Sequence, residues 1–148
     1  MVAANIADDG RLANPVLGAS SRLAMNSGLT DALALVDLKD RVKQDLRTWG
    51  VNAVGLVGTR AYSGLKYKDA YSRIVPICAV MVASAELSVD YEELKTAEIA
   101  KVVGVPAANL KSVTLSRFGF EERPTYWTSG LAEAYGAAAA LLAKRGPA

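Results

Sequence analysis

The 148-residue sequence contains no histidine and a single cysteine, Cys78. Catalytic groups of the Ser–His–Asp or Cys–His type need an imidazole as the base near neutral pH, so the sequence excludes both. Metal sites with histidine ligands are excluded too, and one cysteine cannot form a thiolate cluster. The chemistry that stays available uses carboxylates, lysines, tyrosines and arginines.

The remaining reactive residues do not fall into a catalytic pattern. Cys78 lies in the apolar run of residues 74–83, where a thiol is expected to be a small buried core side chain rather than a nucleophile. Glu121 and Glu122 are adjacent, and neighbouring residues on a strand point to opposite faces, so they would not converge on one substrate. The GLVG sequence at 55–58 lacks the spacing of known phosphate-binding loops. We therefore predict no catalytic residue, no metal site and no cofactor.

The segment from Arg60 to Arg73 is the part of the sequence best suited to contact a partner. It carries four cations against one acidic residue, Asp69, and three tyrosines lie among the cations. The candidate contact residues are Arg60, Tyr62, Lys66, Tyr67, Lys68, Tyr71 and Arg73. Cations beside aromatic rings suit single-stranded nucleic acid, because the cations pair with phosphates and the rings stack on bases. The same residue types anchor protein interfaces, and a solvated hairpin loop is the third interpretation.

The elements that must position these residues are predicted from hydrophobic periodicity. Apolar residues at steps of three and four predict a first helix that ends at Gly50; they are Leu35, Leu38, Val42, Leu46 and Trp49. Residues 51–57 and 74–83 are predicted strands, joined by a long hairpin connection. A capping pattern at Asp90 predicts a second helix that stops at Gly104. A bulged strand over 110–120 and a helix over 131–144 complete the chain.

This order of elements predicts an α+β fold. We expect a single-domain two-layer sandwich in which two to three helices pack on a mostly antiparallel sheet. Residues 1–28 show no sustained period and are predicted to form an irregular N-terminal arm, which leaves 29–148 as the single α+β domain. The arm has few large apolar residues, so it needs outside contacts to offset its ordering entropy. We therefore expect it to lie across a neighbouring subunit.

Charge and hydropathy limit the location and the partners. The net charge is +2, from 17 basic and 15 acidic residues, which is too small to indicate nucleic-acid or membrane binding by itself. The run at 74–83 is much shorter than the roughly 20 apolar residues that span a bilayer. The first ten residues lack the basic and apolar regions of a secretion signal. The sequence predicts a soluble protein, cytoplasmic or in a virion, with no membrane partner.

These observations together predict a non-enzymatic structural or assembly subunit of a homo-oligomeric particle, such as a virus or phage structural protein. The arm and the basic, aromatic segment would make the intersubunit contacts, so the expected partners are further copies of the chain and a larger protein assembly. Two alternatives stay open. One is a nucleic-acid-binding module that uses Arg60–Arg73, which salt-dependent binding would indicate. The other is a small histidine-independent enzyme or ligand-binding domain, which a deep pocket with Tyr126, Arg123 and a glutamate would favour.

Overall fold

The computed structural model describes residues 1–58 and 63–146. Its strands are β1 Val2–Asn5, β2 Asn14–Ser20, β3 Ala53–Val57 and β4 Asp90–Leu94. Its α-helices are α1 Asp31–Trp49, α2 Tyr67–Glu86, α3 Thr96–Val103 and α4 Leu131–Arg145. Short 3-10 helices between α3 and α4 cover Ala107–Ser112, Leu115–Phe118 and Trp127–Ser129. The mixture of helices and short sheets confirms the predicted α+β class.

The chain divides into two compact units. One contains Met1–Ser20, Gly55–Gly58 and Glu92–Ala148, and the other contains Ser21–Val54 and Thr59–Tyr91. We call them the first and the second unit. A single domain over residues 29–148 stays a prediction.

The first unit begins with a β-hairpin at the place where an irregular arm was expected. β1 and β2 pair antiparallel, and the register shifts between Val2 and Ala4. The buried side chains of this hairpin are Ala3, Ala13 and Ala19, and β1 packs against α4 of the same unit. Alanines give a weak alternation signal, and the irregular register removes the strict period of two. This segment therefore makes its contacts within its own chain.

The core of the first unit is built where α4 packs on α3 and on the 3-10 helices. α4 lies very close to α3, since a Cβ at Gly136 would be 3.1 Å from Cγ2 of Ile99. Next to this contact lies a cluster of four rings with centroids 5.4 to 6.2 Å apart, made by Phe118, Phe120, Trp127 and Tyr135. The buried Trp127 indole N–H donates to the carbonyl of Val113 at 2.9 Å.

Two further predicted elements need correction. Residues 110–120 form 3-10 turns and not a bulged strand. The buried side chains in this stretch are Leu110, Val113 and Phe118, and this spacing does not keep to the alternate positions that one face of a strand would use. The predicted helix start at Asp90 is also wrong, because Asp90–Leu94 is β4. α3 begins after Lys95, whose backbone N–H donates to the Glu98 carboxylate at 2.9 Å.

The second unit is a pair of packed helices, α1 and α2. α1 follows its prediction, with Leu38, Val42 and Leu46 buried and with Gly50 at φ 62° ending the helix. α2 corrects the prediction of a strand over 74–83. A run that is apolar on every side cannot be assigned from its period, and Pro76 favoured a strand end, yet here it lies inside the helix.

Ion pairs join the two helices of the second unit near the end of α2. The Glu86 carboxylate accepts from Nζ of Lys43 at 2.9 Å and from Nζ of Lys39 at 3.2 Å. These hydrogen bonds, the one from Lys43 first, lower the pKa of Glu86. The pKa of Lys39 is raised, mainly by its hydrogen bond with Asp40 and then by Glu86.

None of the helices in the described part of the chain has the length and hydropathy needed to cross a membrane.

Gly136→Leu should destabilise the protein, because the added side chain must displace Ile99 or Val103 of α3. We expect the free energy of unfolding to fall by about 1–3 kcal/mol, measured by chemical denaturation. The matched control is Ala143→Leu on the exposed side of α4, which should change stability by less than about 0.5 kcal/mol. Equal stability of the two variants would contradict the close α3–α4 contact.

Glu86→Gln should lower stability at pH 7 and weaken the acid dependence of unfolding. The folded-state pKa of Glu86 is below its ordinary value of 4.5, so its contribution is present above pH 4.5 and is lost as the pH falls through the folded pKa. Denaturation curves from pH 7 to 3 measure this, and added salt should reduce the difference from wild type. Glu121→Gln, at an exposed carboxylate of the first unit, should leave the stability at pH 7 unchanged.

Candidate nucleic-acid interface

Five of the predicted contact residues lie at the start of α2. They are Lys66, Tyr67, Lys68, Tyr71 and Arg73. Lys66 is the N-cap, and the others belong to the first two turns of the helix. Arg60 and Tyr62 lie outside the described residues. The segment was predicted to be a long loop, so a helix here changes which of its side chains share a face.

The two tyrosines lie one turn apart on the same side of α2. The ring centroids of Tyr67 and Tyr71 are 6.1 Å apart, with an angle of 40° between the planes. Tyr67 is 83% exposed and Tyr71 is 39% exposed. The Tyr71 hydroxyl donates to the Asp31 carboxylate at 3.3 Å, and the charge of that carboxylate raises the pKa of Tyr71. Asp31 therefore holds one ring in place while Tyr67 extends into solvent.

The three cations lie at the same helix end but away from the tyrosine face. At 100° per residue, Lys68 is a quarter turn from the tyrosines on one flank, and Arg73 lies on the other flank. All three cations are exposed, and Asp69 is the acidic residue among them. The N-terminus of a helix is itself the positive end of its dipole, so cations there add to a positive region at some cost in helix stability. The arrangement favours an anionic ligand.

The other residues considered from the sequence do not form a second site. Cys78 is half-buried on α2, where a fully buried side chain was expected. Glu121 and Glu122 are exposed. Arg123 donates to the Thr128 hydroxyl at 3.0 Å. In residues 1–58 and 63–146, no three or more acidic or cysteine side chains come together in a way that could hold a metal ion.

One open depression lies in the second unit, beside α1. It is lined by Leu23, Asp37, Asp40, Arg41, Gln44 and Asp45. Arg41 donates to the Asp37 carboxylate at 2.8 Å and to the carbonyl of Ala24 at 2.6 Å, so its guanidinium ties the segment before α1 to the helix. The depression contains neither Tyr126 nor Arg123, the residues expected to line a ligand pocket.

Sequence reasoning missed a set of exposed apolar residues that continue the tyrosine face along α2. Ile74, Met81 and Val82 are about half exposed, at 52%, 46% and 48%. Ile74 follows Tyr71 by three residues, and Met81 and Val82 follow Ile74 by seven and eight, a helical spacing that was visible in the sequence. It was not used because residues 74–83 were assigned to a buried strand.

The sequence matches no protein-family model and none of the curated proteins. Solved structures do match. RuvC from Thermus thermophilus has a TM-score of 0.70 and 18% identity over 94% of this chain and 82% of that chain. T. thermophilus RuvC in complex with a Holliday junction substrate has a TM-score of 0.69 and 18% identity over 90% of this chain and 81% of that chain.

These matches correct the functional prediction made from the sequence. A non-enzymatic structural or assembly subunit of a virus or phage particle is contradicted, because the chain shares its fold with a protein whose substrate is a Holliday junction. A missing histidine excludes histidine chemistry only, and the supposed arm is a hairpin packed on its own chain. Although the identity is too low to carry a function across, the backbone places this chain among structures with the fold of RuvC.

Proposed function

We propose that the protein binds DNA, with branched junctions as the first ligand class, through the basic start of α2. The observation that carries the proposal is the likeness to RuvC bound to a Holliday junction, which extends over 90% of this chain. A likeness over so much of the chain includes both units, so it is not limited to a common local motif. The alternative left open by the sequence, a nucleic-acid-binding module, is thereby favoured.

The start of α2 is the surface that suits a phosphate backbone best. Lys66 and Lys68 are exposed beside the positive end of the helix dipole, and Arg73 follows within two turns. Such contacts supply affinity that is independent of DNA sequence, because they neutralise phosphates and release counterions. Arg60 and Tyr62 precede this surface in the sequence. Their place in the proposed interface is a prediction from the sequence alone.

The fold and the positively charged surface both support DNA binding, and the proposal is limited to binding. A DNA ligand also fits the cytoplasmic location predicted from the sequence, whereas nothing supports a virion. Self-association remains part of the proposal, and the apolar face of α2 is the surface that suggests it.

Replacing Lys66, Lys68 and Arg73 together with alanine should weaken binding to a four-way DNA junction. Fluorescence anisotropy with a labelled junction, measured from low to moderate salt, gives the affinity and its salt dependence. The slope of log K against log salt should fall in magnitude by about three, because each lost phosphate contact removes about 0.9. A linear duplex of the same length tests the preference for a branched ligand.

The matched control replaces three exposed cations of the first unit, Lys95, Lys101 and Lys111, with alanine. It makes the same change in net charge and should keep most of the affinity and slope. If both triple variants lose binding equally, the contact is a general charge effect and the α2 surface is wrong. If wild type binds neither junction nor duplex at low salt, DNA binding itself is wrong. A cleaved junction on addition of Mg²⁺ would extend the proposal from binding to catalysis.

A further inference from the structure

The loop that joins β1 to β2 contains Asp9–Gly10, the one Asp–Gly pair in the sequence. Glycine has no side chain to shield its backbone nitrogen, and it adopts conformations that other residues avoid. An aspartate carboxyl carbon can therefore reach the nitrogen of a following glycine and close a five-membered succinimide ring. The sequence contains no Asn–Gly pair, which would react in the same way. Asp9 is thus the acidic residue whose sequence neighbour hinders this reaction least.

The fold leaves this pair open to the reaction. Asp9 and Gly10 are both exposed, and 55% of the Asp9 side chain is accessible to water. Gly10 has φ 82°, and a Cβ built there would meet no described atom within 4 Å beyond its chain neighbours. Within the described part of the chain, the space that a succinimide ring needs is therefore free, and water can reach the ring once it has formed.

Arg11 holds the Asp9 carboxylate folded over the peptide bond to Gly10. Oδ1 of Asp9 accepts from the backbone N–H of Arg11 at 3.3 Å and from its Nε at 2.8 Å, and Nε lies 2.7 Å from Oδ2. A side-chain bond to the residue two positions on closes a short turn, which keeps the carboxyl group beside the intervening nitrogen. The hydrogen bond from the Arg11 side chain also lowers the pKa of Asp9. Because an ionised carboxylate is a poor electrophile, Arg11 keeps this carboxyl group close but unreactive.

Arg11 is held in turn by other parts of the first unit. Its side chain takes the space beside Gly119, since a Cβ built on that glycine would lie 3.1 Å from Cδ of Arg11. The next residue, Leu12, donates its backbone N–H to the carbonyl of Arg117 at 2.8 Å, and Ala13 is fully buried. The loop is thus fixed directly after Gly10, and these contacts determine where the Arg11 guanidinium lies.

We propose that Asp9–Gly10 is a site of isoaspartate formation and that Arg11 sets the rate of the reaction. The Gly10 nitrogen forms a bond with Cγ of Asp9, and the hydrogen of that nitrogen leaves with the carboxyl hydroxyl as water. One water then adds to either carbonyl of the succinimide and breaks its bond to nitrogen. Breaking the bond to Cγ restores aspartate, whereas breaking the bond to the backbone carbonyl leaves the main chain running through Cγ. The product is an isomer of the original chain, so no other reactant is needed.

Isoaspartate at position 9 would change the first unit. It adds one carbon–carbon bond of about 1.5 Å to the main chain and places the carboxylate directly on Cα, so the ion pair with Arg11 loses its geometry. The longer loop must then strain the contacts that follow it or release them, and β1 of the same hairpin packs on α4. We expect the isomerised chain to be less stable and to present an exposed isoaspartyl carboxylate to a methyltransferase specific for that group. The proposal does not depend on DNA binding.

The test follows isoaspartate formation in the full chain during incubation at 37 °C and pH 6. Peptide mapping by mass spectrometry locates the product, and methyl transfer by protein-isoaspartate methyltransferase measures its amount. Arg11→Gln should convert at least about threefold faster than wild type, because the lost hydrogen bonds raise the pKa of Asp9 and free its side chain. Arg11→Lys keeps a cation there and should convert at an intermediate rate. Arg117→Gln is the matched control, an exposed cation of the same unit, and should convert like wild type.

Two further measurements separate the site from its control by Arg11. Asp9→Asn replaces the carboxylate with an amide that cannot ionise and loses ammonia on cyclisation, so it should form isoaspartate faster than wild type. If this variant forms none in the folded chain, the backbone does not permit ring closure and the site is wrong.

The role of Arg11 is tested against a synthetic peptide of residues 5–14, in which the contacts with the rest of the first unit are missing. Wild type should convert more slowly than this peptide, and an equal rate would overturn the role of Arg11, as would an Arg11→Gln variant no faster than wild type. Hydrogen exchange of the Leu12 amide, which is bonded to Arg117, reports whether the loop stays closed. Faster conversion of Arg11→Gln with that amide unprotected would assign the effect to loop opening and overturn the direct role.

Discussion

The packing of α2 against α1 determines where every described candidate contact residue lies. The inner side of α2 is made of small side chains, Ala79, Ala83 and Ser84, which let the two helices approach closely. Glu86 then fixes the end of α2 by accepting hydrogen bonds from Lys39 and Lys43 of α1. Exposed ion pairs contribute little stability individually. These two share one carboxylate and join two helices, while the buried Ala79, Ala83 and Ser84 mark the side of α2 that faces inward.

The helix that the sequence predicted best, α1, has one apolar face. α1 has its stripe at Leu38, Val42 and Leu46, and its end at Gly50 is a left-handed C-cap that glycine adopts readily. α4 was also found almost to its ends, as Leu131–Arg145. In α1 the spacing of the apolar residues and the end signal agree, which is the condition under which a local pattern decides the structure.

The parts that the sequence did not predict are those whose pattern is ambiguous for a physical reason. α2 is apolar on two sides, so its period disappears and a buried strand is an equal interpretation. The hairpin of β1 and β2 buries only alanines, which leave no alternation to detect. For the candidate site the same error had two effects. The basic segment was named as a candidate contact surface, which stays a prediction. Treating it as a loop hid the separation of its tyrosines from its cations, and assigning residues 74–83 to a buried strand concealed Ile74 and Met81.

The helical form of this segment separates tyrosines and cations that are close in sequence. In a loop, aromatic and basic side chains mix, and a single ligand would have to use both. On α2 the 100° step sends Tyr67 and Tyr71 to one face, and Lys68 and Arg73 to its flanks. A phosphate backbone that lies along the cations of one flank therefore need not contact either tyrosine. The basic segment thus offers an aromatic surface and a basic surface on different sides of one helix.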